Sequence, residues 1–140
     1  MGARAKGRAR PAGAGIGALL VDSNVLIYAT KPEHSKLRQW LIDALPKASV
    51  ISKVEILGYQ KLRSAEKAAL AELLNSLELI YLTPASYEIA IQLRQQRKLT
   101  LGDALIAATC LERGYTLATC NTGDFAWIEE LKVFNPLEAG

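Results

Sequence analysis

The sequence is poor in the residues that staple or metallate many small domains. Its 140 residues include two cysteines, Cys110 and Cys120, and one histidine, His34. Two cysteines without a CxxC spacing are too few for a disulfide scaffold, which points to a reducing, cytoplasmic setting. A single histidine excludes a multi-histidine zinc site. No stretch approaches the ~18 unbroken apolar residues that a membrane span requires. Residues 1–15 hold no long apolar run, so no secretory signal is expected. General disorder is excluded in turn, because 50% of the residues are hydrophobic and only 22% are charged. The length suits one domain, and a domain of this size hides roughly two thirds of its unfolded surface.

Acids are also missing, but only locally. Arg4, Lys6, Arg8 and Arg10 stand in the first ten residues, and no acid precedes Asp22. Of 17 basic residues, the four in this segment leave 13 against 14 acids, so the rest of the chain is close to neutral. Residues 1–16 therefore form a Gly/Ala/Arg tail that is too polar to pack and is expected to be flexible. It is read as a solvated extension, with transient contact to nucleic acid phosphates as the alternative. Residues 17–140 form the domain.

Within that domain, short apolar runs alternate with helical patterns. Strands are expected at Ile16–Val21, Ala48–Ser52, Leu79–Leu82, Tyr115–Thr119 and Lys132–Phe134. Helices are expected at Asn24–Tyr28, Glu33–Leu45, Lys53–Arg63, Ala65–Leu77, from Pro84 to about Arg97, at Asp103–Arg113 and, briefly, at Phe125–Glu130. Leu37, Trp40, Leu41 and Ala44 fall on one helical face. Gly114 is a natural helix stop. The alternation implies an α/β fold: a central parallel sheet of four to five strands with helices on both faces.

In open parallel sheets, ligands bind outside the carboxyl ends of the strands. Four acids are expected at that rim. Asp22 ends the first strand, Glu55 follows the second, Asp103 opens the helix leading into the fourth, and Asp124 follows the fourth. Four gathered carboxylates repel one another and raise one another's pKa unless a cation intervenes. Mg²⁺ or Mn²⁺ favours such ligands. Ions of this kind activate water and orient a phosphodiester. Each acid also has a purely structural reading. Ser52–Glu55 (SKVE) and Thr100–Asp103 (TLGD) fit the capping box, Asn121–Asp124 (NTGD) is a variant of it, and Asp22 could cap the helix near Asn24.

The segments LLVDSNVLIYA, ISKVEILGY, LTLGDALIAAT and LATCNTGDFAWIEELKVFNP, in that order, resemble the signature segments of PIN-domain ribonucleases. The likeness is greatest to the VapC toxins of bacterial toxin–antitoxin pairs and runs from about Leu19 to Pro136. It implies a PIN-like fold and a Mg²⁺- or Mn²⁺-dependent endoribonuclease. Asp22, Glu55, Asp103 and Asp124 would form the acidic metal site. Ser23 stands where the family has a small hydroxyl residue, and Asn121 where it has a polar residue that helps to order the site. Cys120 occupies a position that is often basic in the family. The resemblance further implies an RNA substrate, a homodimer and a cognate VapB-like antitoxin. A non-catalytic PIN-like domain that binds RNA or a partner is the alternative, and a receiver-like signalling module a more distant one.

The remaining features point elsewhere. Cys110 is a core residue by its apolar setting, and His34 is expected at the solvated surface. The run Arg94, Gln95, Gln96, Arg97, Lys98 complements a helix dipole or, alternatively, touches RNA near Asp103.

Overall fold

A computed structural model describes residues 18–138. The basic tail lies outside them. Five strands form one sheet: β1 (Leu19–Val21), β2 (Lys47–Ser49), β3 (Leu79–Ile80), β4 (Thr116–Ala118) and β5 (Val133–Phe134). Every pairing is parallel, in the order β3-β2-β1-β4-β5. Six α-helices connect them: α1 (Ser23–Ala29), α2 (Ser35–Ala44), α3 (Val50–Leu57), α4 (Ser64–Asn75), α5 (Pro84–Gln96) and α6 (Leu101–Arg113). The expected α/β architecture is therefore present. Among the described residues, no helix is long and apolar enough to cross a membrane.

The central strands show why the sheet is buried on both sides. Leu19 and Val21 point into one core, with Leu26, Trp40, Leu41, Leu70 and Leu74 from α1, α2 and α4. Leu20 points into the other, with Leu93 of α5, Ile106 and Ala107 of α6, and Phe125. Successive strand residues face opposite ways, so a continuous apolar run fills both layers. At two roughly equal cores, neither layer can be removed without exposing the sheet.

Three junctions differ from the sequence reading. The second strand stops at Ser49 and α3 begins at Val50, so Val50, Ile51 and Ser52 are helical. The Ser49 side chain accepts from the Ile51 amide at 3.0 Å and caps the helix, which displaces Ser52 from the capping role. α3 also ends early, at Leu57, with Gly58 following it. Finally, Phe125–Glu130 is not a helix. Amide-to-carbonyl bonds join Phe125 to Thr122, Ile128 to Phe125 and Leu131 to Ile128. These three-residue steps bury Phe125, Ile128 and Leu131 on one side, a period of three that a helical reading of the same apolar residues resembles.

Smaller differences are local. α6 begins at Leu101, two residues before the expected start at Asp103. His34 sits in a short 3-10 turn, Pro32–His34. Its ring lies 5.5 Å from that of Tyr28 and is half-buried rather than fully solvated. Gly114 takes the left-handed conformation (φ 72°) that ends α6, where a side chain would be strained. Leu45 takes the same conformation (φ 47°) after α2.

Candidate active site

Asp22 directly follows β1, the middle strand, and is only 4% exposed. Its amide donates to the Ala118 carbonyl at 2.9 Å, extending the β1–β4 ladder by one step. That register sets Val21 beside Ala118 and so brings Thr119 alongside Asp22. The Thr119 hydroxyl donates to Asp22 Oδ2 at 2.9 Å, across 97 positions of sequence. Thr119 is fully buried, and its Oγ1 also accepts the Asn121 amide at 3.0 Å. Asp22 is the residue before α1, but its side chain makes no capping bond. Its hydrogen bond goes across the sheet instead, so capping does not account for it.

Burial pushes the Asp22 carboxyl up to about 6. The Thr119 hydrogen bond works against this, and the neighbouring charges of Asp103 and Glu55 add to it. Asp103 lies in the first turn of α6, half-buried. Its amide donates to the capping hydroxyl of Thr100 at 3.1 Å, as the TLGD pattern predicts. Burial raises its pKa as well, and the charge of Asp124 adds to the rise. Asp124 is exposed in a 3-10 turn, Thr122–Asp124, that follows β4. The four acids are thus linked through space: Asp22 to Asp103 and Glu55, and Asp103 to Asp124.

Glu55 is held by two neighbours from different elements. The Ser23 hydroxyl lies 3.0 Å from Glu55 Oε1 and 2.7 Å from Ser52 Oγ. With one proton it donates to one of them at a time. On the other side, the Glu55 carboxylate rests against Gly102 of α6. A methyl group at Gly102 would lie 2.9 Å from Glu55 Cδ and closer still to Oε2, which real packing does not permit. The absence of a side chain at residue 102 is what lets Glu55 lie against the turn that carries Asp103.

Ser23 is therefore a bridge between α1 and α3. Asn121 contributes through its backbone: its amide bonds to Thr119 and its carbonyl accepts the Asp124 amide at 3.0 Å. Cys120 is half-buried near Asp22, whose charge, with burial, holds the thiol above its usual range. That disfavours a reactive thiolate. Cys110 is buried and is pushed up in the same way. The sequence offers no site role for Thr119 or Gly102 and reads Ser52 as a helix cap. The signal for Thr119 was available only through the strand register.

Carboxylates are the donors expected for a hard divalent cation, and a buried acid beside two others is the environment that such a cation relieves. Among the described residues, no three His, Cys, Asp or Glu side chains stand together as a ready-made cage.

An all-parallel sheet in this order, with Asp22 at the carboxyl end of its middle strand and the charges of Asp103 and Glu55 acting on it, defines an α/β protein with a candidate site at the strand rim. Residues 19–131 match the PIN domain, and the chain belongs to the PIN-domain family. Its kinship within that family is with the VapC ribonucleases. It is 36% identical over 126 residues to Ribonuclease VapC10 of Mycobacterium tuberculosis, in a match that takes in 81% of this chain and 90% of that one. Among solved structures, a chain of a toxin–antitoxin complex from Klebsiella pneumoniae superposes with a TM-score of 0.66 at 30% identity, covering 86% of this chain and 98% of that one. VapBC2 from Rickettsia felis, solved bound to a DNA fragment from its promoter, gives 0.73 at 21% identity over 85% and 98%. That last likeness speaks to the fold.

Proposed function

We infer that this chain is an endoribonuclease dependent on Mg²⁺ or Mn²⁺, and the toxin of a VapBC-like type II toxin–antitoxin pair. The observation that carries the reading is the buried Asp22, bonded by Thr119 and placed within electrostatic reach of Asp103 and Glu55. A buried carboxylate with two acidic neighbours is stabilised by a bound cation. The kinship to VapC ribonucleases supplies the substrate class, and the toxin–antitoxin complexes among the structural relatives supply the kind of partner.

Asp22, Asp103, Glu55 and Asp124 would hold the metal. When bound, the ion would supply an activated water and stabilise charge on the phosphodiester. The chain's own residues do the positioning. Thr119 fixes the Asp22 carboxylate from below by donating to Oδ2. Ser23 steers Glu55, while Gly102 leaves the room that Glu55 occupies. Thr100 caps the helix whose first turn presents Asp103, and the Asn121 backbone fixes the turn that carries Asp124. None of these carboxylates needs to act as a nucleophile, because each serves as a ligand. A VapB-like antitoxin would silence the enzyme by covering this rim, and a homodimer is the expected assembly.

The test is cleavage of total RNA by purified protein, with Mg²⁺ or Mn²⁺ and with EDTA, beside the Asp22→Asn, Asp103→Asn double variant. Discrete metal-dependent products that vanish in the folded double variant are expected. Products that persist unchanged in the variant would refute the assignment of the site. RNA that is bound but never cut would favour the non-catalytic alternative.

A further inference from the structure

Beside the acids lies a pair that the catalytic reading does not use. Trp127 packs against the core that contains Phe125 and Ile128. Its indole Nε1 donates to the carbonyl of Asp124 at 3.1 Å, so the ring is tied to the turn that carries the outermost acid. The guanidinium of Arg97 stands over this ring, 5.1 Å from its centroid. Arg97 ends α5, with its amide bonded to the Leu93 carbonyl at 3.3 Å. The loop that follows is braced by Arg94, whose Nε donates to the Leu99 carbonyl at 3.1 Å. That loop leads directly into Thr100 and the first turn of α6, where Asp103 sits.

Arg97 is exposed, and among the described residues no carboxylate pairs with it. This is notable beside so many acids. A guanidinium over an indole keeps a planar cationic surface open to solvent, and such surfaces stack unpaired bases. Single-stranded RNA is recognised by this means, through splayed bases on aromatic rings and arginine planes. Lys98 and Arg94 add positive charge along the same edge, where a phosphate backbone would run.

We propose that Arg97, seated on Trp127 next to the Asp124 turn, is a stacking platform for an unpaired base of the RNA substrate that flanks the scissile phosphate. It makes Arg97 a substrate-binding residue that favours purines, whose larger rings stack more strongly, over pyrimidines. The proposal rests on the ribonuclease reading, and it deepens that reading by naming where a base is held.

The test compares binding of two fluorescein-labelled dodecamers, all-adenosine and all-uridine RNA, by anisotropy in buffer containing Ca²⁺. Wild type, Arg97→Ala and Arg97→Lys are measured, with circular dichroism to verify folding and total-RNA cleavage run alongside. Stacking predicts that wild type prefers the adenosine strand. Arg97→Ala should weaken that strand by about 5- to 150-fold, the range that loss of one base stack gives, and erase the preference. Arg97→Lys should also erase it, because charge without a plane does not stack. Equal weakening of both strands by Arg97→Ala, with rescue by Arg97→Lys, would overturn stacking in favour of a phosphate contact. Unchanged binding in both variants would overturn any role for the pair in substrate binding. In either of those cases, metal-dependent cleavage by wild type would leave the ribonuclease reading standing. Failure of wild type both to bind and to cleave would remove both.

Discussion

Replacing Asp22 with Asn should make the protein more stable at neutral pH while it abolishes cleavage. The carboxyl is pushed from 3.8 to about 6, chiefly by burial. Carrying it across that interval corresponds to about 3 kcal/mol between the charged and neutral forms at neutral pH. The folded state binds this proton more tightly than the unfolded state. Below pH 3.8 both states hold it and no penalty exists. As pH rises from 3.8 through 6 the folded state must give it up, so stability falls, and above 6 the whole penalty is present. Asn carries no charge, and its side-chain oxygen can still accept from Thr119. Its amide needs a new partner, which offsets about 1–2 kcal/mol of this and leaves a gain of about 1–2 kcal/mol. For a domain of this size that is about 4 °C in Tm per kcal/mol. Thermal or urea unfolding in EDTA at pH 7.5 and pH 5 measures it. The stability of Asp22→Asn relative to wild type should be about 1.4 kcal/mol greater at pH 7.5 than at pH 5. Added Mg²⁺ should stabilise wild type and not the variant. An Asp22→Asn protein no more stable than wild type at pH 7.5 in EDTA, or an advantage independent of pH, would refute the reasoning.

Gly102→Ala should leave the fold intact, since alanine is the better helix residue by up to about 1 kcal/mol. RNA cleavage should nevertheless fall by about tenfold or more, an order of magnitude typical of a misplaced catalytic group, as the new methyl displaces the Glu55 carboxylate; full activity would show that Glu55 is not needed in this place. Thr119→Val keeps the shape but removes the donor to Asp22, so urea unfolding at pH 7.5 should show a loss of about 1–3 kcal/mol. Leu45→Gly should raise stability by about 0.5–1 kcal/mol in the same assay, because an exposed leucine is held at φ 47° where glycine is unstrained.

The acids were legible in the sequence because each interrupts a pattern. Asp22 stops an apolar run, Asp103 stands in the first turn of the helix that leads into β4, and Asp124 stands in the turn that follows β4. The parallel sheet followed from the alternation of runs and helices. The hand-over from β2 to α3 was not legible, because Val50 and Ile51 are β-branched residues that suit a strand, and SKVE imitates a cap that Ser49 in fact provides. Thr119 was read only as a strand end. Its role depends on which strand lies beside β1, and pairing across 97 residues leaves no local trace. The turns after Asp124 misled for a different reason: apolar residues at 125, 128 and 131 satisfy a period of three as well as one of 3.6. Gly102 carried no chemistry of its own, and its importance lies in the space that it leaves for a residue 47 positions away.

The strand order has a bearing on how such a chain is made in a living cell. The middle strand comes early in the chain, but its neighbour β4 and the Thr119 that braces Asp22 come nearly a hundred residues later. At ~5–20 residues per second, a ribosome needs on the order of 5–20 s to pass from Asp22 to Asp124. For most of that interval the emerging polypeptide lacks β4, the strand that pairs with β1 and carries its register on to Thr119. The chain is thus translated almost to its end before β4 and Thr119 can brace Asp22, so the rim is a property of the finished fold and of no segment that emerges first.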